Sequence, residues 1–177
     1  MKLISSNLAG RLRRIPRQVE MLAGRKPGLV ALQEVRRPGL SRLRTLLRDS
    51  GLIHQVDRFE LAPDPALLAG PHRYGLLIAS RFPLRAWEPG RFDVPWRERI
   101  LLVDIEMPWG LLAMHTTHIP PGVTNGWIKI DHCFASASLR PASCTYLQTS
   151  RESGLCDHAA LEVVLSPSPY ARHRMKL

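Results

Sequence analysis

Leu29-Val30-Ala31-Leu32-Gln33-Glu34-Val35 decides the fold: four uninterrupted apolar residues run into an amide and a carboxylate, and Pro38-Gly39 then breaks the chain. A continuous apolar run of this length suits a strand buried on both faces, as in a parallel sheet covered by helices. A carboxylate ending such a strand is costly to bury alone, so Glu34 must meet a cation, a donor or solvent. Upstream, Leu3 to Ser6 reads as a short strand. Ile15, Val19 and Leu22 then recur at i, i+4 and i+7, with Pro16 near the first helical position and Gly24 or Gly28 as the stop. Downstream, Ser41 is expected to cap a helix carrying Leu43, Leu46 and Leu47 that stops at Gly51. The first part of the chain therefore alternates strand and helix.

From Ile53 onward the pattern is strand after strand. The predicted strands are Ile53 to Phe59, Leu76 to Ser80, Ile100 to Glu106 and Leu111 to His118, followed by Asp131 to Ala135, Ala142 to Tyr146 and Ala159 to Leu165. Turns fall at Arg81-Phe82-Pro83 and Glu88-Pro89-Gly90, and Pro108-Trp109-Gly110 reads as a hairpin tip. Strands outnumber helices, which points to two packed sheets with flanking helices.

At 177 residues the chain has the size of one domain that can bury a core without disulfides. No apolar run approaches the roughly 18 residues of a membrane span, so membrane insertion is not expected. The first ten residues lack the pattern of a signal peptide, making the expected location cytoplasmic. Cys133, Cys144 and Cys156 form no C-x-x-C pair, which suits reduced thiols.

The net charge of +10 is unevenly placed. Residues 1 to 48 hold 12 lysines and arginines against only Glu20 and Glu34, while the remainder holds 13 of each sign. Of the 25 basic residues 21 are arginine, the side chain better suited to bidentate phosphate contact. A phosphate-rich partner, nucleic acid foremost, is the functional reading, and a solvated face of two amphipathic helices is the plain one.

Polar groups stand directly beside buried strands at Ser6-Asn7, Gln33-Glu34, Thr117-His118, Ile130-Asp131-His132 and Cys156-Asp157-His158. An amide, carboxylates and imidazoles are the inventory of a site that binds a hard cation through oxygen and handles protons through histidine. Magnesium is the expected ion, with Mn2+ as its alternative.

These motifs, in this order, resemble the endonuclease/exonuclease/phosphatase superfamily. Gly75-Leu76-Leu77-Ile78-Ala79-Ser80-Arg81-Phe82-Pro83-Leu84 is similar to that family's strand and turn of the "ILSRFPI" type. The resemblance runs from Met1 to about Leu165 and implies a four-layer α/β sandwich, two sheets flanked by helices, that cleaves phosphodiesters with a divalent metal. It implies Glu34 as metal ligand, with Asn7 beside it and Asp157 at the metal site. His118 and His158 would contact the phosphate, and Asp131 would orient His158. The implied partner is a phosphodiester substrate, with nucleic acid favoured and no defined protein partner.

Two positions depart from that pattern. Cys156 replaces the Ser of "S-D-H", a change of hydrogen bonding more than of size. In addition, no G-D-x-N occurs in the chain. The family's Asp and Asn of that motif orient the attacking water, and here Asn125-Gly126-Trp127-Ile128-Lys129 leads straight into Ile130-Asp131. The expectation is a single domain over residues 1–165, incomplete through an internal deletion near 128–131, with a flexible tail over 166–177. Its activity would be impaired, the alternative being an inactive truncated member that at most binds metal or nucleic acid.

Three other readings carry less weight. A zinc site from His115 and His118 with His132, Cys133 or Cys156 is opposed by strand alternation, which points residues three apart to opposite faces. Trp87, Trp96, Trp109 and Trp127 are read as rim packing, and His54 and His72 as bystanders.

Overall fold

Period-two alternation inside the apolar runs sorts the core into two layers. In the computed structural model, which describes residues 1–61, 68, 74–87, 99–118 and 139–168, β1 (Lys2–Asn7) and β2 (Leu29–Val35) pair in parallel from Leu3↔Leu29 to Asn7↔Gln33. Ile4, Val30 and Leu32 face one side, and Leu3, Leu29 and Ala31 face the other. The first side is covered by α1 (Ile15–Gly24), through Ile15, Val19 and Leu22, and by α2 (Leu40–Asp49), through Leu43 and Leu47.

The order continues with β3 (His54–Asp57), α3 (Arg58–Leu61), β4 (Gly75–Ser80), β5 (Leu84–Ala86), β6 (Ile100–Met107), β7 (Gly110–Thr117), β8 (Leu139–Leu147), α4 (Thr149–Glu152) and β9 (Ala160–Pro167). A six-stranded mixed sheet runs β3-β4-β2-β1-β9-β8, and a three-stranded antiparallel sheet runs β5-β6-β7. The small sheet turns Leu101, Val103, Ile105 and Met107 against Leu3, Leu29, Ala31, Leu76 and Ile78 of the large one. The protein is thus a mixed α/β sandwich of two sheets, as the sequence implied. Among the described residues no helix covers the outer face of the small sheet, where Leu111 and His115 are exposed.

Several expected boundaries move, each for a local reason. Ser41 does not cap α2: the Arg37–Gly39 turn already winds the chain into the helix, Gly39 takes the cap position, and no side chain bonds there. The strand expected over Ile53 to Phe59 is only His54–Asp57, because the Asp57 carboxylate accepts the backbone N–H groups of Phe59 and Glu60 and starts α3. Strand β9 includes Ser166 and Pro167, which the sequence assigned to a tail, since Leu139 pairs with Pro167. Pro141 sits beside an irregularity of edge strand β8, where a missing N–H is tolerated. The Pro108-Trp109 turn joins β6 to β7 as read, and Trp109 packs against the inter-sheet core. The strand expected over Asp131 to Ala135, the proposed junction at 128–131, and Trp96, Trp127 and His72 lie outside the described residues.

Candidate active site

Parallel pairing of β1 and β2 brings Asn7 and Glu34 to the same end of the sheet, and antiparallel β9 begins there on the other side of β1. Asp157 and His158 lie just before β9 and so arrive at that end too, while β7 delivers His118 from the opposite sheet.

Glu34 is shaped for its position. The β2–β4 register shifts between Leu32 and Val35, and Glu34 has φ of +52°, a conformation that L residues other than Gly, Asn and Asp rarely adopt. Such irregularities re-aim a side chain at the cost of backbone strain. Its Oε1 accepts from Asn7 Nδ2 at 2.8 Å and faces His118 Nε2 at 3.3 Å. Asn7 is fixed from behind, because its Oδ1 accepts the Ala9 N–H at 2.8 Å in an Asx turn. Burial pushes the Glu34 carboxyl up, but the bonds from His118 and Asn7, with the nearby imidazoles of His118 and His158, outweigh it and hold the group below its ordinary value.

The His118 ring is oriented by Arg99, whose Nη1 lies 2.9 Å from Nδ1. A guanidinium only donates, so Nδ1 accepts and the ring proton sits on Nε2, aimed at Glu34. The His118 N–H and the Thr117 hydroxyl both donate to the Arg99 carbonyl at 3.0 Å. Tyr74 stands edge-on to the same ring, centroids 6.4 Å apart. Gly10, at φ +60°, makes room for it: a Cβ there would come within 2.7 Å of the Tyr74 ring.

On the β9 side, His158 Nε2 lies 3.8 Å from Asp157 Oδ1. The His158 backbone is fixed by Cys156 Sγ–H and the Ser150 hydroxyl, which donate to its carbonyl at 2.5 and 3.1 Å. Cys156 therefore acts as a hydrogen-bond donor. Buried Gln18 ties this loop to the end of β1 by donating to both Leu8 and Leu155 carbonyls.

The structure thus brings Asn7 and His118 onto Glu34 and sets His158 near it. Asp157 is largely exposed and faces His158. Asp131 lies outside the described residues. Sequence reasoning missed Arg99, Tyr74 and Thr116, whose roles depend on contacts across the two sheets. The one signal available was an arginine directly before the apolar run of β6. His115 and His118 lie on opposite faces of the β7 line, and among the described residues no three His, Cys, Asp or Glu side chains are grouped to hold a metal ion.

The donor chemistry nevertheless suits one class of cation. Among the described residues Glu34 Oε2 takes no hydrogen bond, and it is not among the buried unsatisfied oxygens. Mg2+ is commonly held by one or two carboxylates plus water and substrate phosphate, not by an all-protein cage. One open carboxylate oxygen fits that ion.

No protein-family model matches the sequence, and no curated protein matches it. Solved structures do. An endonuclease/exonuclease/phosphatase from Beutenbergia cavernae is similar with a TM-score of 0.68 at 13% identity, over 95% of this chain and 72% of that one. A humanized D. rerio TDP2 is similar with a TM-score of 0.60 at 12% identity, over 94% and 98%. A D. rerio TDP2 complexed with single strand DNA product gives 0.52 at 14% identity, over 97% and 85%. With the two-sheet architecture, these likenesses show that the chain has an endonuclease/exonuclease/phosphatase-like fold.

Proposed function

We propose that the chain is a metal-dependent phosphodiesterase acting on nucleic acid. The carrying observation is Glu34, a strand-end carboxylate kept ionised by donors on one oxygen while the other stays open. Glu34 would hold Mg2+, or Mn2+, with Asn7 fixing the carboxylate and Asp157 nearby. A bound cation supplies neutralisation of the phosphate charge during displacement. His158 would donate to the phosphate, as would His118 if its Nε2 proton turns from Glu34 to the substrate, and Asp131 would orient His158. A fold shared with a TDP2 that was solved with a single strand DNA product supports nucleic acid as the substrate.

The absence of G-D-x-N leaves the attacking water without its usual base, so turnover is expected to fall by about two to four orders of magnitude. The test is cleavage of a labelled oligonucleotide over a magnesium titration, for wild type and Glu34→Ala. Slow magnesium-dependent cleavage that vanishes in the variant supports the proposal. No cleavage by either protein sinks it and leaves a binding-only protein.

A further inference from the structure

The plain reading of the basic excess is the solvated face of two amphipathic helices. The topology says where on the molecule that face begins. Helices α1 and α2 follow β1 and β2, so their first turns stand at the strand ends that carry Asn7 and Glu34. Arg13, Arg14 and Arg17 open α1, while Arg37 and Arg42 flank the start of α2, and all five are exposed. The two connections are packed together: a Cβ at Gly39 would come within 2.6 Å of Ile15 and 2.7 Å of Leu12.

The series continues into the site. Arg11 and Arg36 stand with Glu34 and Gly10 around a small hollow otherwise lined by apolar side chains, among them Leu12, Ile15 and Leu43. Arg11 Nη1 donates to the Gly154 carbonyl at 2.6 Å, and Arg14 lies against Gly154, just ahead of Asp157 and His158.

Pairing separates these arginines from several others. Lys2 and Arg25 are neutralised by Glu162, and Arg44 by Asp57 and Glu60. Arg13, Arg14, Arg17, Arg37 and Arg42 have no carboxylate partner among the described residues, and Arg37 instead lies over the Phe59 ring at 5.0 Å. Five guanidiniums without such a partner are more than one small phosphate can engage bidentately. A chain of regularly spaced phosphates can reach them, and arginine is the residue that grips each phosphate bidentately.

We infer that the first turns of α1 and α2 form a track for the sugar–phosphate backbone of a nucleic acid leading to Glu34. The inference rests on the proposed function for what happens at Glu34, but backbone binding is measurable without cleavage. The test is fluorescence anisotropy of a labelled single-stranded oligonucleotide in EDTA over a salt series. Wild type is compared with Arg13→Ala/Arg17→Ala/Arg42→Ala and with a control, Lys26→Ala/Arg48→Ala, which removes exposed cations from the opposite helix ends. The triple variant is expected to bind at least about tenfold more weakly, with its log–log salt slope reduced by about two, and the control to stay near wild type.

Wild-type affinity and slope in the triple variant would overturn the track, as would an equal loss in the control, which would reduce it to overall charge. Equally tight, arginine-dependent binding to 4:1 phosphatidylcholine–phosphatidylserine vesicles would overturn the assignment to nucleic acid. If wild type binds as expected but never cleaves, the track stands and the enzymatic reading fails.

Discussion

On either side of β4, two carboxylates end strands that run in the same direction: Leu77 pairs with Leu32 of β2, two residues before Glu34, and with Asp57 of β3. Asp57 is fully buried, its Oδ1 accepting the N–H groups of Phe59 and Glu60. Its Oδ2 lies 2.7 Å from Arg44, an ion pair without the angle of a hydrogen bond. Burial pushes the Asp57 carboxyl up, and Arg44 with the backbone donors only partly offsets this. Glu34 moves the other way. One carboxylate has both oxygens committed to a cation and to a helix start and serves the fold. The other keeps an oxygen and a charge available for a ligand.

The sharpest way to break this comparison is to remove each group in turn. Asp57→Ala should cost about 3 kcal/mol in urea unfolding, because it takes the buried partner from Arg44, leaving only the exposed Glu60, and uncaps α3. Glu34→Ala should cost less than about 1 kcal/mol, since its environment is half open. Equal losses would put Glu34 among the structural carboxylates. The next effect concerns strain alone. Glu34→Gly should be more stable than Glu34→Ala by about 1 kcal/mol, because only glycine adopts φ near +52° without penalty. An alanine variant as stable as glycine would mean the turned backbone is relaxed.

The smallest effect is in acid. A depressed carboxyl stabilises the native state above its unfolded pKa, and that contribution is lost as pH falls through the folded value. Glu34→Gln, fixed in the neutral form, lacks that contribution at every pH and should shift acid unfolding to higher pH. Asp57 has the opposite sign: its raised folded pKa lets the native state take up a proton first and gain stability as pH falls. Asp57→Asn, fixed in the neutral form, should therefore shift acid unfolding to lower pH. Circular dichroism against pH checks both, and shifts in the same direction would refute the contrast.

Much of the site could be read in sequence because its members stand next to buried strands whose apolar runs announce themselves. Asn7, Glu34, His118 and His158 each follow or precede such a run. The strand order could not be read, nor could Arg99 and Tyr74, because they meet His118 only after the hairpin of β6 and β7 folds over the large sheet. Asp57 was hidden for the reverse reason: its role is local, but a carboxylate that ends a strand by capping a helix looks like any polar strand residue until the turn is seen. The position of the basic quarter relative to the site could not be read, because helical periodicity tells which face is wet, not which end of the sheet a helix starts from.

Gln33 precedes Glu34 and spans the sandwich, its side-chain amide donating to Ser5 of the large sheet at 3.1 Å and to Thr116 of the small sheet at 2.8 Å. Since Glu34 belongs to one sheet and His118 to the other, this amide acts as a registration pin between the two halves of the site. Removing this amide would take away a polar tie between the sheets and loosen the contact of Glu34 with His118, while the apolar packing between the sheets stays in place.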